Sequence, residues 1–363
     1  MTIELLTSSD AAEYPCVSLD PLSAHPTVSV LITNYNYEEF LPRSIDSVLH
    51  QSWRPIEVVV SDDGSHDRSC EVVQSYTDRG HPVVLVRGEH RGMAGCLNAG
   101  FRASSGEIIC LLDADDYFLP GKLEAVVSAF RSNPDAGFCI HRTERINRRG
   151  RGGGVFPLLQ RLPSGDRAAS TIRNSGILMG LPPTSALSLR RQIASNILPI
   201  PEHYTGYAEQ MIHRLAPLLT SICSIEKALS CWTLHHRNDA NSSFIKVQRL
   251  ERELRFMEMQ WQEQHRFLLA HHKSWVAELR PLHRNALYVK MRYIVGRLNA
   301  DKDSDASHTI LCNMPEIRNS YMRMFWRYSR RLPRPIFKKS IDLLETQGGL
   351  KHILGRFLRI AKS

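Results

Sequence analysis

No apolar run in the 363-residue chain approaches the ~18 residues that a membrane-spanning helix needs, so no bilayer-crossing segment is expected. The opening stretch MTIELLTSSDAAEYP lacks a basic start followed by an apolar core, which argues against a secretion leader and for the cytoplasm. The eight cysteines, at positions 16, 70, 96, 110, 139, 223, 231 and 312, contain no C-x-x-C spacing. In a long chain without a leader they read as reduced core thiols, not as a disulfide frame or a zinc site. There is no G-x-x-x-x-G-K-[ST] phosphate loop and no H-E-x-x-H, and Gly150, Gly152 and Gly154 neither follow a strand nor open a helix. Phosphate-loop ATP hydrolysis and hydride transfer on a dinucleotide therefore have little support. Internal repeats are also missing.

What is present is an ordinary globular composition, 42% hydrophobic and 23% charged, which excludes a disordered chain. The net charge of +9 is unevenly spread. Residues 244–363 carry 24 Lys and Arg against 11 Asp and Glu, a balance of +13, leaving −4 on residues 1–243. An acidic body with a basic tail suggests two regions with two tasks.

Short β-branched apolar runs at 28–33, 56–61, 82–87, 107–112 and 136–141 alternate with helix-spaced stretches at 38–51, 67–77, 93–103 and 121–130. Such alternation predicts βαβ units and a mainly parallel sheet flanked by helices, an α/β fold of Rossmann-like kind. Residues 1–26, with three prolines, read as a lead-in. Residues 142–170, rich in Arg and Gly (Arg148, Arg149, Gly150, Arg151), read as a mobile surface loop. A helix is expected near 207–219, and almost everything after Phe244 has helical character, with apolar positions at helical spacing through 254–269 and 275–295 and a polar break at 299–307.

In an open parallel sheet, ligands sit beyond the carboxyl ends of the strands. The first strand ends in Thr33-Asn34-Tyr35-Asn36, the second in Asp62-Asp63-Gly64-Ser65 and the fourth in Asp113-Ala114-Asp115-Asp116. Like-charged carboxylates at the end of a buried strand repel one another and call for a neutralising group. Mg²⁺ or Mn²⁺, held by oxygen ligands and by substrate phosphates, serves best. Capping of the helix that starts near Pro120 is the plainer alternative, although one cap does not need three acids. Asp62 reads either as the acid of a tight Asx turn or as a partner for a donor group of a bound nucleotide.

These stretches resemble the family 2 glycosyltransferases of the GT-A fold over residues 27–243. VSVLITNYNYEEFLPRSIDSVLHQSW is similar to the family's opening strand and helix, VVVSDDGSHD to its nucleotide-binding turn, and GMAGCLNAGFRASSGEIICLLDADDYFLP to the approach to its D-x-D metal motif. The resemblance implies transfer of a sugar from a nucleotide-sugar, a UDP-sugar first, with inversion at the anomeric carbon. It implies that Thr33, Tyr35 and Asp62 hold the nucleobase and ribose, with Asn98 and Asp113 also on the donor side. Asp113 and Asp115 would form the D-x-D pair, Asp115 as the direct metal ligand, with His235 of the CWTLHHRN segment closing over the metal or diphosphate. Asn98 and Gly100 have packing as an equal alternative.

The general base that inversion requires would be Glu209, at the start of a helix, where this sequence carries Glu in place of the usual Asp. An acid that merely complements the helix dipole is the other reading. Thr184 and Ser185 resemble the acceptor-side wall. The expected organisation is a lead-in at 1–26, a GT-A domain at 27–243 divided into nucleotide-sugar-binding (27–141) and acceptor-binding (142–243) halves, and a helical basic region at 244–363.

Residues 318–363 hold 12 Lys and Arg against 2 acids, interleaved with Trp326, Phe325, Phe337 and Phe357. Basic amphipathic helices of this kind suit an anionic membrane leaflet, the cytoplasmic face of the inner membrane, where a carbohydrate or lipid-linked acceptor would be met. Helices packed on the catalytic domain with their charges in water are the alternative, and no nucleic-acid-binding motif accompanies the charge. Two other functions stay open at this level: a non-catalytic nucleotide-sugar-binding or scaffold protein, and nucleotidyl transfer.

Overall fold

The computed structural model describes residues 17–147, 152–204, 207–235, 247–301, 304–314 and 320–346. In chain order its elements begin with β1 (Val28–Asn34), α1 (Leu41–Leu49), β2 (Ile56–Asp62), α2 (Ser69–Asp78), β3 (Val83–Arg87), α3 (Gly92–Ala103), β4 (Ile108–Asp113), β5 (Tyr117–Phe118) and α4 (Lys122–Ser132). There follow β6 (Ala136–Asn147), β7 (Gly152–Phe156), α5 (Ala168–Arg173), β8 (Leu187–Arg190), α6 (Arg191–Ile197), α7 (Glu209–Leu219) and β9 (Ser221–Leu234). The remainder is helical: α8 (Val247–His271), α9 (Lys273–Val276), α10 (Ala286–Asn299), α11 (Ser304–Cys312), α12 (Ser320–Ser329) and α13 (Arg334–Thr346).

The strands form one sheet in the order β3-β2-β1-β4-β8-β6-β9-β5, with β7 added to β6. β1, β2, β3 and β4 are parallel throughout, as their nearly unbroken apolar runs require, because a parallel strand is covered on both faces. Antiparallel neighbours enter through β8, which lies between β4 and β6. The helix α1 buries Leu41, Ser44, Ile45 and Val48, one stripe at three- and four-residue spacing, and takes Pro in its first turn where no backbone donor is needed. Ile32, Val58, Val60, Cys110, Leu112, Val126 and Phe130 lie in the core that results.

Two sequence expectations need correction. Residues 142–170 are not simply a surface loop: β6 continues to Asn147 and β7 returns against it, with Thr143 opposite Phe156 and Glu144 opposite Val155. The inward positions Thr143 and Ile146 are buried between exposed or half-exposed charged neighbours, and Arg142 bonds the Pro157 carbonyl at 2.6 Å and the Glu226 carboxylate. Glycine content masked that alternation. Arg148, Arg149, Gly150 and Arg151 lie outside the described residues. The stretch 275–295 is likewise not one helix: α9 ends at Val276, and α10 starts only after Pro281, where the Asn285 side chain accepts the Tyr288 N–H at 3.1 Å as a cap.

The chain divides into two compact units, one of Met1–Ile172 with Ile177–His235, the other of Arg173–Gly176 with His236–Ser363. The first holds the sheet. In the second, Tyr293 of α10 meets Trp326 of α12 and Phe337 of α13 edge to face, at 6.0 and 5.8 Å between ring centroids.

Candidate active site

Register decides which side chains meet. Thr33 stands opposite Asp113 across β1 and β4, and Asn34 opposite Asp62 across β1 and β2, so three strands release polar groups at one edge of the sheet. That edge is where strand order reverses around β1, the place at which open α/β sheets bind ligands.

The turn after β2 is closed on itself. Asn34 Nδ2 donates to Asp62 Oδ1 at 2.7 Å, and the Ser65 hydroxyl and N–H donate to Asp62 at 2.6 and 2.8 Å. Asp62 is only 2% exposed and is built into the turn. Gly64 has φ +76°, and a Cβ there would come within 3.2 Å of the His90 nitrogen, so glycine is required. Asp63 accepts the N–H groups of Arg91 at 2.7 Å and Gly92 at 2.9 Å, anchoring the start of α3, and pairs with His90 Nδ1 at 3.1 Å. His90 in turn stacks on the exposed Tyr35 ring at 4.4 Å. Tyr35 and His90 thus form an aromatic step at the open edge. His90 escaped the sequence reading because it follows β3 in a stretch without period or motif.

At the end of β4, Asp113, Asp115 and Asp116 each bring an oxygen within 4.8 Å of the others. Asp116 is buried and both of its oxygens are engaged, by the Ser185 hydroxyl at 2.6 Å and the Thr233 N–H at 2.9 Å. Asp113 accepts from the Thr33 hydroxyl at 3.2 Å, and Asp115 pairs with His235 Nε2 at 2.8 Å. His235, delivered by the end of β9, is itself buried and stacked on Phe40. Burial, and next the Asp115 charge, push the Asp113 carboxyl up to about 7; burial and both neighbours hold Asp116 well above the ordinary carboxylate range. An all-oxygen set this short of positive charge fits a hard divalent cation, with Asp113 and Asp115 as the pair still able to bridge it. Helix capping does not account for the acids, since α4 starts behind Gly121 without any side-chain cap.

Thr184 and Ser185, read from the sequence as an acceptor-side wall, lie behind the acids. Ser185 is fully buried and Thr184 nearly so; the Ser185 hydroxyl accepts the Asp113 N–H at 3.1 Å while donating to Asp116. The Ser185 carbonyl is held by Lys122 Nζ at 3.2 Å, an ammonium buried over the Phe118 ring and lowered to about 8 by burial. These residues lock the acids from within the protein. Ser185→Ala is expected to leave the Asp113 N–H and one Asp116 oxygen without partners, costing about 2 kcal/mol or more. Differential scanning calorimetry should register this as a loss of ~4–8 °C in melting temperature.

Glu209 opens α7 and is half-buried. Its carboxyl is pushed up to about 8 by burial and then by the Asp113 charge, so it shares the electrostatic field of the acid cluster. Asn98 is not brought to this group: its amide donates to the Ile200 carbonyl and accepts the Ile200 N–H, both at 2.7 Å, clasping the segment that leads to α7. Gly100 meets only ordinary van der Waals neighbours. His236, Arg237 and Asn238 lie outside the described residues.

The chain also resembles known proteins. Residues 29–175 match the family described as Glycosyl transferase family 2. An uncharacterized glycosyltransferase of Nostoc sp. is 32% identical over 225 residues, 60% of this chain and 67% of that protein. An uncharacterized glycosyltransferase of Haemophilus influenzae is 34% identical over 123 residues, 33% of this chain and 40% of its own length. The crystal structure of Staphylococcus aureus TarS 1–349 in complex with UDP-GlcNAc aligns with a TM-score of 0.54 at 16% identity, covering 90% of this chain and 93% of that one, a likeness of fold. The fold is therefore of the GT-A, Rossmann-like kind. With the family match running over the strands that build the polar edge, and with the Nostoc protein related over two thirds of its length, the chain belongs to glycosyltransferase family 2.

Proposed function

We propose that this glycosyltransferase moves a sugar from a nucleoside diphosphate sugar, a UDP-sugar first, to a hydroxyl of a carbohydrate or lipid-linked acceptor, with inversion, in the building of a surface polysaccharide or glycolipid. The observation that carries the reading is the convergence of Asp113, Asp115 and Asp116 at the end of β4, their oxygens within 4.8 Å of one another, with Glu209 at the head of α7 close enough to feel the Asp113 charge. A cluster of acids suits compensation of charge on a diphosphate through a hard cation, and a separate carboxyl suits the handling of a proton.

On this reading the Tyr35–His90 step carries the nucleobase, with Thr33 beside it, and the Asp62 turn shapes the floor. Asp113 and Asp115 would hold Mn²⁺ or Mg²⁺, and His235, 2.8 Å from Asp115, orients its carboxylate. A bound divalent cation supplies Lewis-acid compensation for the charge gathering on the leaving diphosphate. Glu209, as carboxylate, accepts the acceptor hydroxyl's proton while the acceptor oxygen bonds to the anomeric carbon and the bond from that carbon to the diphosphate oxygen breaks. The face attacked is opposite the leaving group, hence inversion.

The reading is tested by calorimetric titration of UDP, GDP and dTDP with and without Mn²⁺, followed by mass detection of transfer from the matching donor sugars. UDP comes first because TarS, similar in fold, is described in complex with UDP-GlcNAc. Binding of no nucleotide in either condition would remove it. Tyr35→Ala should raise the donor KM about three- to tenfold at unchanged kcat, the loss of one aromatic contact made equally before and during reaction. A peripheral station at the cytoplasmic face of a membrane is part of the reading; among the described residues no helix is long and apolar enough to cross one.

A further inference from the structure

The helices α12 and α13 spend their apolar residues unevenly. Trp326, Ser329, Phe337 and Ile341 are buried, and Trp326 and Phe337 converge on the same ring, Tyr293 of α10. The Tyr293 hydroxyl bonds the Ser329 hydroxyl at 2.8 Å, and Arg297 reaches the Leu332 carbonyl at 2.7 Å, so both helices are fastened by one side. The side turned away from α10 is not a polar one. Met324 and Tyr328, one turn apart on α12, are 55% and 52% exposed, and Ile336 on α13 is 54% exposed. Around them Arg327, Arg331, Arg334, Lys338 and Lys339 are exposed too; of the acids, Asp305 pairs with Arg330 at 2.8 Å, and Asp342 and Glu345 lie toward the far end of α13. The Arg331 guanidinium lies over the Tyr328 ring at 5.8 Å, apolar and basic groups sharing one surface.

We infer that this outward face of α12 and α13 docks the protein on an anionic lipid bilayer, with Met324, Tyr328 and Ile336 entering the headgroup boundary and the arginines and lysines meeting lipid phosphates. The inference rests on the glycosyltransferase reading for its purpose and adds the surface and its partner. A solvated basic face needs no large apolar side chains at its centre, and a protein-binding apolar patch needs no rim so rich in Arg and Lys. Both together, on short helices fixed from behind, match the chemistry of an interfacial helix in a negatively charged leaflet. Long basic side chains reach phosphates while their stems lie along the apolar surface.

The test is co-sedimentation of the full chain with phosphatidylcholine vesicles with and without phosphatidylglycerol, at low and high salt, without donor or acceptor. Binding is expected only with phosphatidylglycerol and is expected to fall with salt. Neutralising Arg331, Arg334 and Lys338 to Gln together should weaken it by about two orders of magnitude. Met324→Ser, Tyr328→Ser and Ile336→Ser combined should also release the protein while its melting temperature and its transfer to a soluble acceptor stay at wild-type values. Full binding by the triple serine variant, or no binding of the wild type to anionic vesicles, would each overturn the docking surface. Vesicle binding is read without turnover, so failure of the transfer reading leaves this result intact, and the reverse.

Discussion

Glu209→Gln is expected to lower kcat for sugar transfer by about two to four orders of magnitude with little change in donor KM. Glutamine keeps the volume and the position at the head of α7 but cannot accept a proton. The proposed role as base draws on the environment of the native group. Burial, then the charge of Asp113, raise its carboxyl to about 8, so a proton taken from an acceptor hydroxyl is retained instead of being returned. Transfer by the wild type should accordingly decline as pH falls below that region, because the carboxylate is the working form.

Stability carries the opposite slope. Between about 4.5 and 8 the folded chain keeps a proton on Glu209 that the unfolded chain has released, so this group's contribution to stability falls as pH rises through the window. Melting temperatures of Glu209→Gln and wild type should therefore diverge with rising pH, the variant becoming the more stable. Wild-type turnover by Glu209→Gln would remove the base assignment, and a matching pH slope of stability in both proteins would remove its electrostatic basis.

Asp115→Ala should cost at least about 10²–10³ in kcat/KM, since it removes one of the two acids able to bridge a cation and leaves buried His235 without its carboxylate partner. The metal-free protein offers an independent readout. Asp113, raised to about 7 by burial and by Asp115, holds its proton in the folded state over a range where the unfolded chain has lost it. Stability of the cation-free protein should thus fall as pH climbs from about 4 to about 7. Mn²⁺ should restore it, raising the melting temperature more at about pH 8 than at about pH 5, because protons compete for the same oxygens. In Asp115→Asn both the pH slope and the Mn²⁺ effect should shrink. An Asp115→Ala protein that transfers sugar at the wild-type rate in saturating Mn²⁺ would end the D-x-D assignment.

The parallel half of the sheet was legible because each of its strands is a run of β-branched and aliphatic residues ending in a polar group. Once the strands pair in register, Thr33, Asn34, Asp62 and Asp113 share an edge with no further information needed. What sequence order hides is which polar groups are already spent. Asp62 and Asn98 read as candidate ligands by letter, and the structure adds that the first is bonded to Asn34 and Ser65 and the second to the backbone of Ile200, 102 positions away. Ser185 looked like a wall for an acceptor, and only the antiparallel insertion of β8 beside β4 reveals it as an inward latch. His90 and Lys122 carry no local pattern at all: one gains its meaning from Tyr35, the other from the Ser185 carbonyl. Strand β7 was missed because three successive glycines suppress the alternation by which a strand is recognised.

The double anchoring of Asp116 has a consequence for the life of the nascent chain. Its two partners lie 69 and 117 residues downstream, so at ordinary synthesis rates Thr233 follows Asp116 from the ribosome by roughly ten seconds. During that interval β1 to β4 can pair, but burying the third acid would strand a carboxylate without acceptor-satisfying donors. Burial of Asp116 with both oxygens satisfied therefore waits on β9. A chain that ends before β9 carries Asp113, Asp115 and Asp116 without the Thr233 donor that completes the burial of the third acid.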